Sequence, residues 1–246
     1  MWSPNVSRLW LPIGYTTSSD REPDECRVTD SVTTAGEEGP TRNGEAVMRA
    51  VTELRYRIMT GEFGGGEPVR QERMAELLDI SRVPVREALR LLADQGLLEH
   101  RVHTGYFVKK RPAEELRQIF MMLAFLEARV LETIEHPDEQ TLTELHAINN
   151  EMAQYVSGPD WSPMVDLNRR FHFKIFRLSP LNVVLDEVER LWTIAAPYIA
   201  QKYTLREMRE RAVREHEGLI DALESGDRAL LERLLDKHRS DRSTMY

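Results

Sequence analysis

Two groups of side chains in this sequence have the types and spacing to do chemistry. The first is Arg82, Arg86 and Arg90. Residues four apart share one face of a helix. An arginine fork matches the two acceptors that guanine presents in a major groove. Arg82 and Arg86 at a helix start therefore suit base reading, with Arg90 extending the face towards phosphates, and backbone amides at the same helix start can hold a phosphate. The second group is Asn168, His172, His216 and His238. Asn168 and His172 lie at i, i+4, and the other two histidines belong to later helical stretches. Three imidazoles and one amide oxygen on three helices can converge in a bundle around a divalent cation. In isolation, exposed arginines more often make a solvated face, and core histidines are more often satisfied by neighbouring groups. The elements that carry each group decide between these uses.

Around the arginines the hydrophobic periods outline a small module. Val47, Val51, Leu54 and Ile58 recur at helical spacing and Gly61 ends that helix. Gly64-Gly65-Gly66 reads as a flexible connection. A short helix carries Met74, Ala75, Leu77 and Leu78, and Asp79-Ile80-Ser81 turns into a third helix. Ser81 is its expected N-cap, with Pro84 tolerated in the first turn. That helix turns Val85, Ala88, Leu89, Leu91 and Leu92 inward and stops at Gly96. Leu97-Leu98 and Tyr106-Phe107-Val108 read as two strands around a turn at Thr104-Gly105. Three helices and a hairpin form the plan of a winged helix-turn-helix, whose third helix enters the major groove.

Residues 112–241 show long helical periods and no strand pattern. Pro137, Gly158-Pro159, Pro163, Pro180 and Gly226 fall between helices, and Pro197 falls inside one. The expectation is a bundle of six or seven helices with Leu123, Leu126, Val130, Phe171, Ile175, Val184, Leu191, Leu219, Leu223 and Leu234 in its core. The fold class is thus mainly α, a winged helix-turn-helix at 44–111 followed by an all-α bundle at 112–241. Residues 1–43 lack any period and are rich in Ser, Thr, Pro, Gly and charge, which predicts a disordered tail. Met48 is an alternative start.

The net charge of −8 in 246 residues argues at first against nucleic acid, but its distribution matters more. Arg49 to Arg111 holds 12 Lys and Arg against 9 Asp and Glu, so the module is mildly basic and the remainder acidic. A single cysteine, Cys26, excludes an intrachain disulfide and a multi-cysteine zinc site. No apolar run approaches the roughly 18 residues of a membrane span, and no secretory signal stands at the N-terminus. A cytoplasmic protein is expected.

The stretch Gly66-Glu67-Pro68-Val69, Met74-Ala75-Glu76-Leu77-Leu78, Ser81-Arg82-Val83-Pro84-Val85-Arg86-Glu87-Ala88-Leu89, Gly96-Leu97 and Gly105-Tyr106-Phe107-Val108 resembles the GntR family of bacterial transcription regulators, with unbroken spacing. The resemblance implies DNA contacts from Ser81, Arg82, Val83 and Arg86, with a wing tip from His103 to Gly105 near the minor groove. Val83 stands where the family usually has Thr, and Asp79 where a turn Gly is usual. Leu126 to Glu132, Asn168 to His172, and Glu215-His216 through Asp227 to His238 resemble the FCD effector domain of the FadR-type subfamily. That likeness implies a divalent metal of the Zn, Ni or Mn class on Asn168, His172, His216 and His238, with Asn168 in place of the family's Asp. It also implies a small carboxylic acid effector, which Arg129 contacts unless it is held in an ion pair, and a homodimer on double-stranded operator DNA.

The reading is therefore a ligand-responsive, dimeric DNA-binding regulator that acts on a pseudo-palindromic site and is not an enzyme. A metal-dependent enzyme built on the bundle is the alternative, but no HExxH motif, catalytic carboxylate pair or nucleophile–base set stands beside the histidines. An architectural DNA-binding protein with an inert bundle is the third possibility.

Overall fold

A computed structural model describes residues 42–243, without the side chains of Arg42 and of 240–243. The expected tail, with Cys26, falls almost wholly outside these residues. α1 (Arg42–Met59) turns Val47, Ala50, Val51, Leu54 and Ile58 inward, as their spacing requires, and packs mainly on α3 (Arg82–Asp94). Gly61 follows at φ +80°, a left-handed conformation open to glycine. α2 (Gln71–Leu78) ends on Asp79, which itself adopts φ 51°. An Asp tolerates this conformation better than most side chains do, so the turn keeps its shape without glycine.

Three strands make a small antiparallel sheet in the order β1–β3–β2. They are β1 (Pro68–Val69), β2 (Leu98–Arg101) and β3 (Gly105–Val108). Leu98 opposes Val108 and Arg101 opposes Gly105. The hairpin turn occupies Val102–Thr104, with His103 at φ 66°, so it lies slightly earlier than the Thr104-Gly105 turn expected from sequence. β1 has only two residues, too few to show a period. The triple glycine, expected as a flexible connection, forms a hydrogen-bonded turn. Glu67 N–H donates to Gly64 O at 3.0 Å, and Gly66 N–H reaches Val108 O at 2.8 Å.

The helices α4 (Ala113–Leu131), α5 (Glu139–Gln154), α6 (Pro163–Phe176), α7 (Asn182–Gln201), α8 (Arg206–Glu224) and α9 (Arg228–Ser243) form the bundle, with a 3-10 turn at Lys202–Thr204. α4 packs on α7 and α9, α7 on α6, α6 on α5, α5 on α8 and α8 on α9. These contacts close a ring of six helices. Most of the expected core residues are fully buried, and Leu126, Val184 and Leu234 pack against them partly exposed. Pro197 sits inside α7. Head and bundle have separate apolar clusters, and Met59 of α1 belongs to the bundle's cluster.

Candidate functional site

On the head, α3 buries Pro84, Val85, Ala88, Leu89 and Leu92 and presents Arg82, Val83, Arg86, Glu87, Arg90 and Leu91 to solvent, so Leu91 does not face inward as the sequence pattern suggested. Ser81 occupies the N-cap position, but its side chain makes no capping hydrogen bond, contrary to the sequence expectation. Ser81 is itself exposed at the start of α3, beside Arg82. Arg82 Nη1 lies 3.2 Å from Glu72 Oε1 of α2, with both side chains more than half exposed. An ion pair so exposed contributes about 0–1 kcal/mol, so it orients the arginine without locking it. His103 and Thr104 are exposed at the hairpin tip, and Gly105 is half-buried. Arg101 beside them is engaged by Glu99 and lies 4.1 Å from the Phe107 ring centre.

In the bundle, α6 supplies Asn168 and His172, α8 supplies His216 and α9 supplies His238. All four are buried. One ligand atom from each histidine lies within 4.8 Å of the others. A tetrahedral cation at about 2.0–2.1 Å from each nitrogen sets the nitrogens about 3.3 Å apart, so shifts on the order of an ångström close the set. Asn168 Oδ1 is buried and has no hydrogen-bond partner among the described residues. An orphaned buried carbonyl is costly, and a cation would relieve that cost. The donor set fits a divalent metal.

The surroundings fix the rings. The His216 ring stacks on Phe171 with centroids 3.9 Å apart, and His172 lies 5.3 Å from the Trp192 ring. His238 Nδ1 meets Glu215 Oε2 at 2.6 Å. A carboxylate on one ring nitrogen sets the tautomer and turns the other nitrogen towards a metal. The Glu215-His216 dipeptide was visible in sequence, but only the packing of α8 against α9 shows that Glu215 serves His238. Trp192 donates to Glu127 at 2.6 Å, and Arg239 approaches the same carboxylate at 3.4 Å.

Two further residues and a cavity lie apart from this site. Arg129, the expected effector contact, is exposed and pairs with Glu132, the residue that caps the end of α4. Its helix turns Glu127 inward instead, so Arg129 does not reach the histidines. Asp166 stands apart from the histidine cluster; burial pushes its carboxyl up to about 6 against the pull of Arg170 and Arg169. A cavity of about 500 Å³ lies between head and bundle, lined by Met59, Phe63, Leu116, Trp161, Ile194 and Tyr198 among others. It shares no lining residue with the histidine site, whose four side chains are all buried.

Residues 47–108 match the family of bacterial regulatory proteins known as the gntR family, and residues 118–241 match the FCD domain. The chain belongs to the GntR family and carries an FCD domain. Among related proteins, an uncharacterized HTH-type transcriptional regulator, YdhC of Bacillus subtilis, is 26% identical over 71% of this chain and 79% of its own length. A probable D-xylose utilization operon transcriptional repressor of Paenarthrobacter nicotinovorans is 28% identical over 74% of this chain and 80% of its own. The solved structure of McbR/YncC from E. coli shares the fold, with a TM-score of 0.67 at 22% identity over 81% of this chain and 96% of that one. These domains and relatives are those of transcription regulators, not enzymes. No helix among the described residues is long and apolar enough to cross a membrane.

Proposed function

We propose that this GntR-family protein is a ligand-responsive regulator that binds a pseudo-palindromic duplex operator as a homodimer in the cytoplasm. Residues 44–111 form its reading unit, with Arg82 and Arg86 on base edges and Ser81, Val83, His103 and Gly105 completing the interface. Residues 112–241 form the effector and dimerisation unit. Asn168, His172, His216 and His238 hold a divalent cation there, and a small carboxylic acid is the effector. When bound, the cation supplies a Lewis-acid contact for a carboxylate oxygen. The chain's own residues orient the ligands: Glu215 sets His238, and Phe171 fixes the plane of His216. Met121, Met122 and Phe125 leave an exposed apolar stripe on α4, which suits pairing with a second copy.

The observation that carries this reading is the convergence of three buried histidines from α6, α8 and α9, with the orphaned Asn168 carbonyl one turn before His172, in a chain whose α3 exposes three arginines. The coupling requires that cation and acid bind one arrangement of the two heads better than another. The test is to purify the full chain and measure bound metal by elemental analysis and bound acid by mass spectrometry, beside His216→Ala. About one metal per chain in the parent and a clear deficit in the variant are expected. Equal metal content in both removes His216 from the site. Sedimentation of the same sample reads twice the 28.6 kDa chain mass if the copies pair, and the single mass if they do not.

A further inference from the structure

We propose that Val83 reads the 5-methyl group of a thymine in the operator, beside the bases met by Arg82 and Arg86. The inference rests on the DNA-reading function proposed above and assigns part of its sequence specificity. Val83 is the second residue of α3 and is 49% exposed. With about 100° between successive helical residues, it projects near the middle of the solvent arc that begins at Arg82 and runs through Arg86 and Arg90. The core-facing residues Val85, Ala88, Leu89 and Leu92 occupy the opposite side. Val83 therefore points where the first turn of a reading helix meets base edges.

Nothing in the head's stability asks for valine there. The side chain is branched at Cβ, which disfavours helix, and much of it is left in water. Arg82, Arg86, Glu87 and Arg90 on the arc are charged, and the apolar Leu91 at its far edge lies about two turns further along the helix. Charged groups reach guanine acceptors, cytosine amines and phosphates. Valine has no side-chain donor or acceptor and can reach none of these by hydrogen bonding. Apolar contact with the thymine methyl is the base signal an aliphatic group can read, and that methyl projects only into the major groove. Leu77 of α2 and Leu91 of α3 are also exposed, at 47% and 40%, but neither is in the first turn of α3; the most exposed apolar side chain of the head is Val102, at 71%. It sits on the wing, expected near the minor groove, where thymine shows no methyl. A methyl dependence thus reports on α3 and not on the wing.

The test uses the full chain and DNA alone. Binding sites are selected from a randomised duplex pool, and each thymine of the resulting consensus is replaced singly by deoxyuridine, which lacks only the methyl. At one thymine per half-site, next to a guanine whose selection is lost in Arg82→Ala or Arg86→Ala, affinity is expected to fall about three- to tenfold. In Val83→Ser the ratio of thymine to deoxyuridine affinity falls to near one, with melting unchanged. The proposal is overturned if no thymine in the consensus flanks those guanines, if every deoxyuridine site binds within twofold of its parent, or if Val83→Ser keeps the methyl dependence. Because the deoxyuridine series uses the parent protein, it stands even if the variant does not fold. If both arginine variants keep the parent's sequence preference, the reading function of α3 falls, and the proposal with it.

Discussion

Head and bundle place their functional groups in opposite environments. Arg82, Arg86 and Arg90 stand in solvent on a helix whose other side is core. His172, His216 and His238 are buried within a closed ring of helices. The difference suits the ligands proposed for them. A duplex attracts from a distance through its phosphates, so the reading groups must be exposed and weakly committed, as Arg82 is to Glu72. A cation site works by excluding water and fixing geometry, so its groups are buried and each ring is held from behind. Buried polar groups of this kind weaken a core unless they are partnered.

If the two regions depend on separate cores, damage to one leaves the other's function in place. Leu89 is fully buried beneath the reading face. Leu89→Ala is expected to cost the head about 2–5 kcal/mol. Hydrogen exchange should then rise across α1 and α3 and operator binding should weaken, while metal content per chain stays at the parent value. Loss of metal in the same variant would show that head and bundle unfold together. The opposite experiment is smaller in effect. Glu215→Gln keeps the volume but weakens the hold on His238, and metal affinity read against a competing chelator should drop about 10- to 100-fold, or roughly 1.4–2.7 kcal/mol. Metal-free binding to non-specific duplex should not change. An unaltered chelator curve removes Glu215 from the support of the site.

The same contrast governs what could be seen in the sequence. The exposed arginine face was legible because its determinants are local: Asp79 to Arg90 carries the turn, the helix start and the arginine spacing in one stretch. The resemblance put Asp79 where a turn glycine is usual, and the left-handed backbone found there accounts for that preference. The histidines were legible as a set only through the resemblance to the FCD domain, since their convergence depends on how α6, α8 and α9 pack. Arg129 shows the limit. Helical spacing places Glu127 and Arg129 two residues apart on α4, and which one faces inward depends on the neighbours in the ring. α7 and α9 bring Trp192 and Arg239 to Glu127, and Arg129 is left outside. β1 escaped because two residues carry no period, and the role of Glu215 escaped because its partner lies on another helix.

The finest division between the regions is the seam that joins them. Tyr56 on α1 shares a hydrogen bond with Ser162, the residue just before α6 begins. Further along that helix Arg169, next to Asn168, pairs with Glu189 of α7, and its charge bears on Arg55 of α1. Burial, helped by Arg169 and opposed by Glu189, brings the Arg55 guanidinium down to about 10. One helix thus meets the head at its start and carries two of the proposed cation ligands along its length. A shift of α6 as those ligands close would be felt at Tyr56. Removing one hydroxyl contact costs about 0.5–1.5 kcal/mol, so Tyr56→Phe should leave metal content and metal-free operator affinity near the parent's. The factor by which metal changes operator affinity should shrink by about two- to tenfold. An unchanged factor would mean that the seam holds the two units together without passing anything between them, and the coupling would then have to run through the pairing of copies.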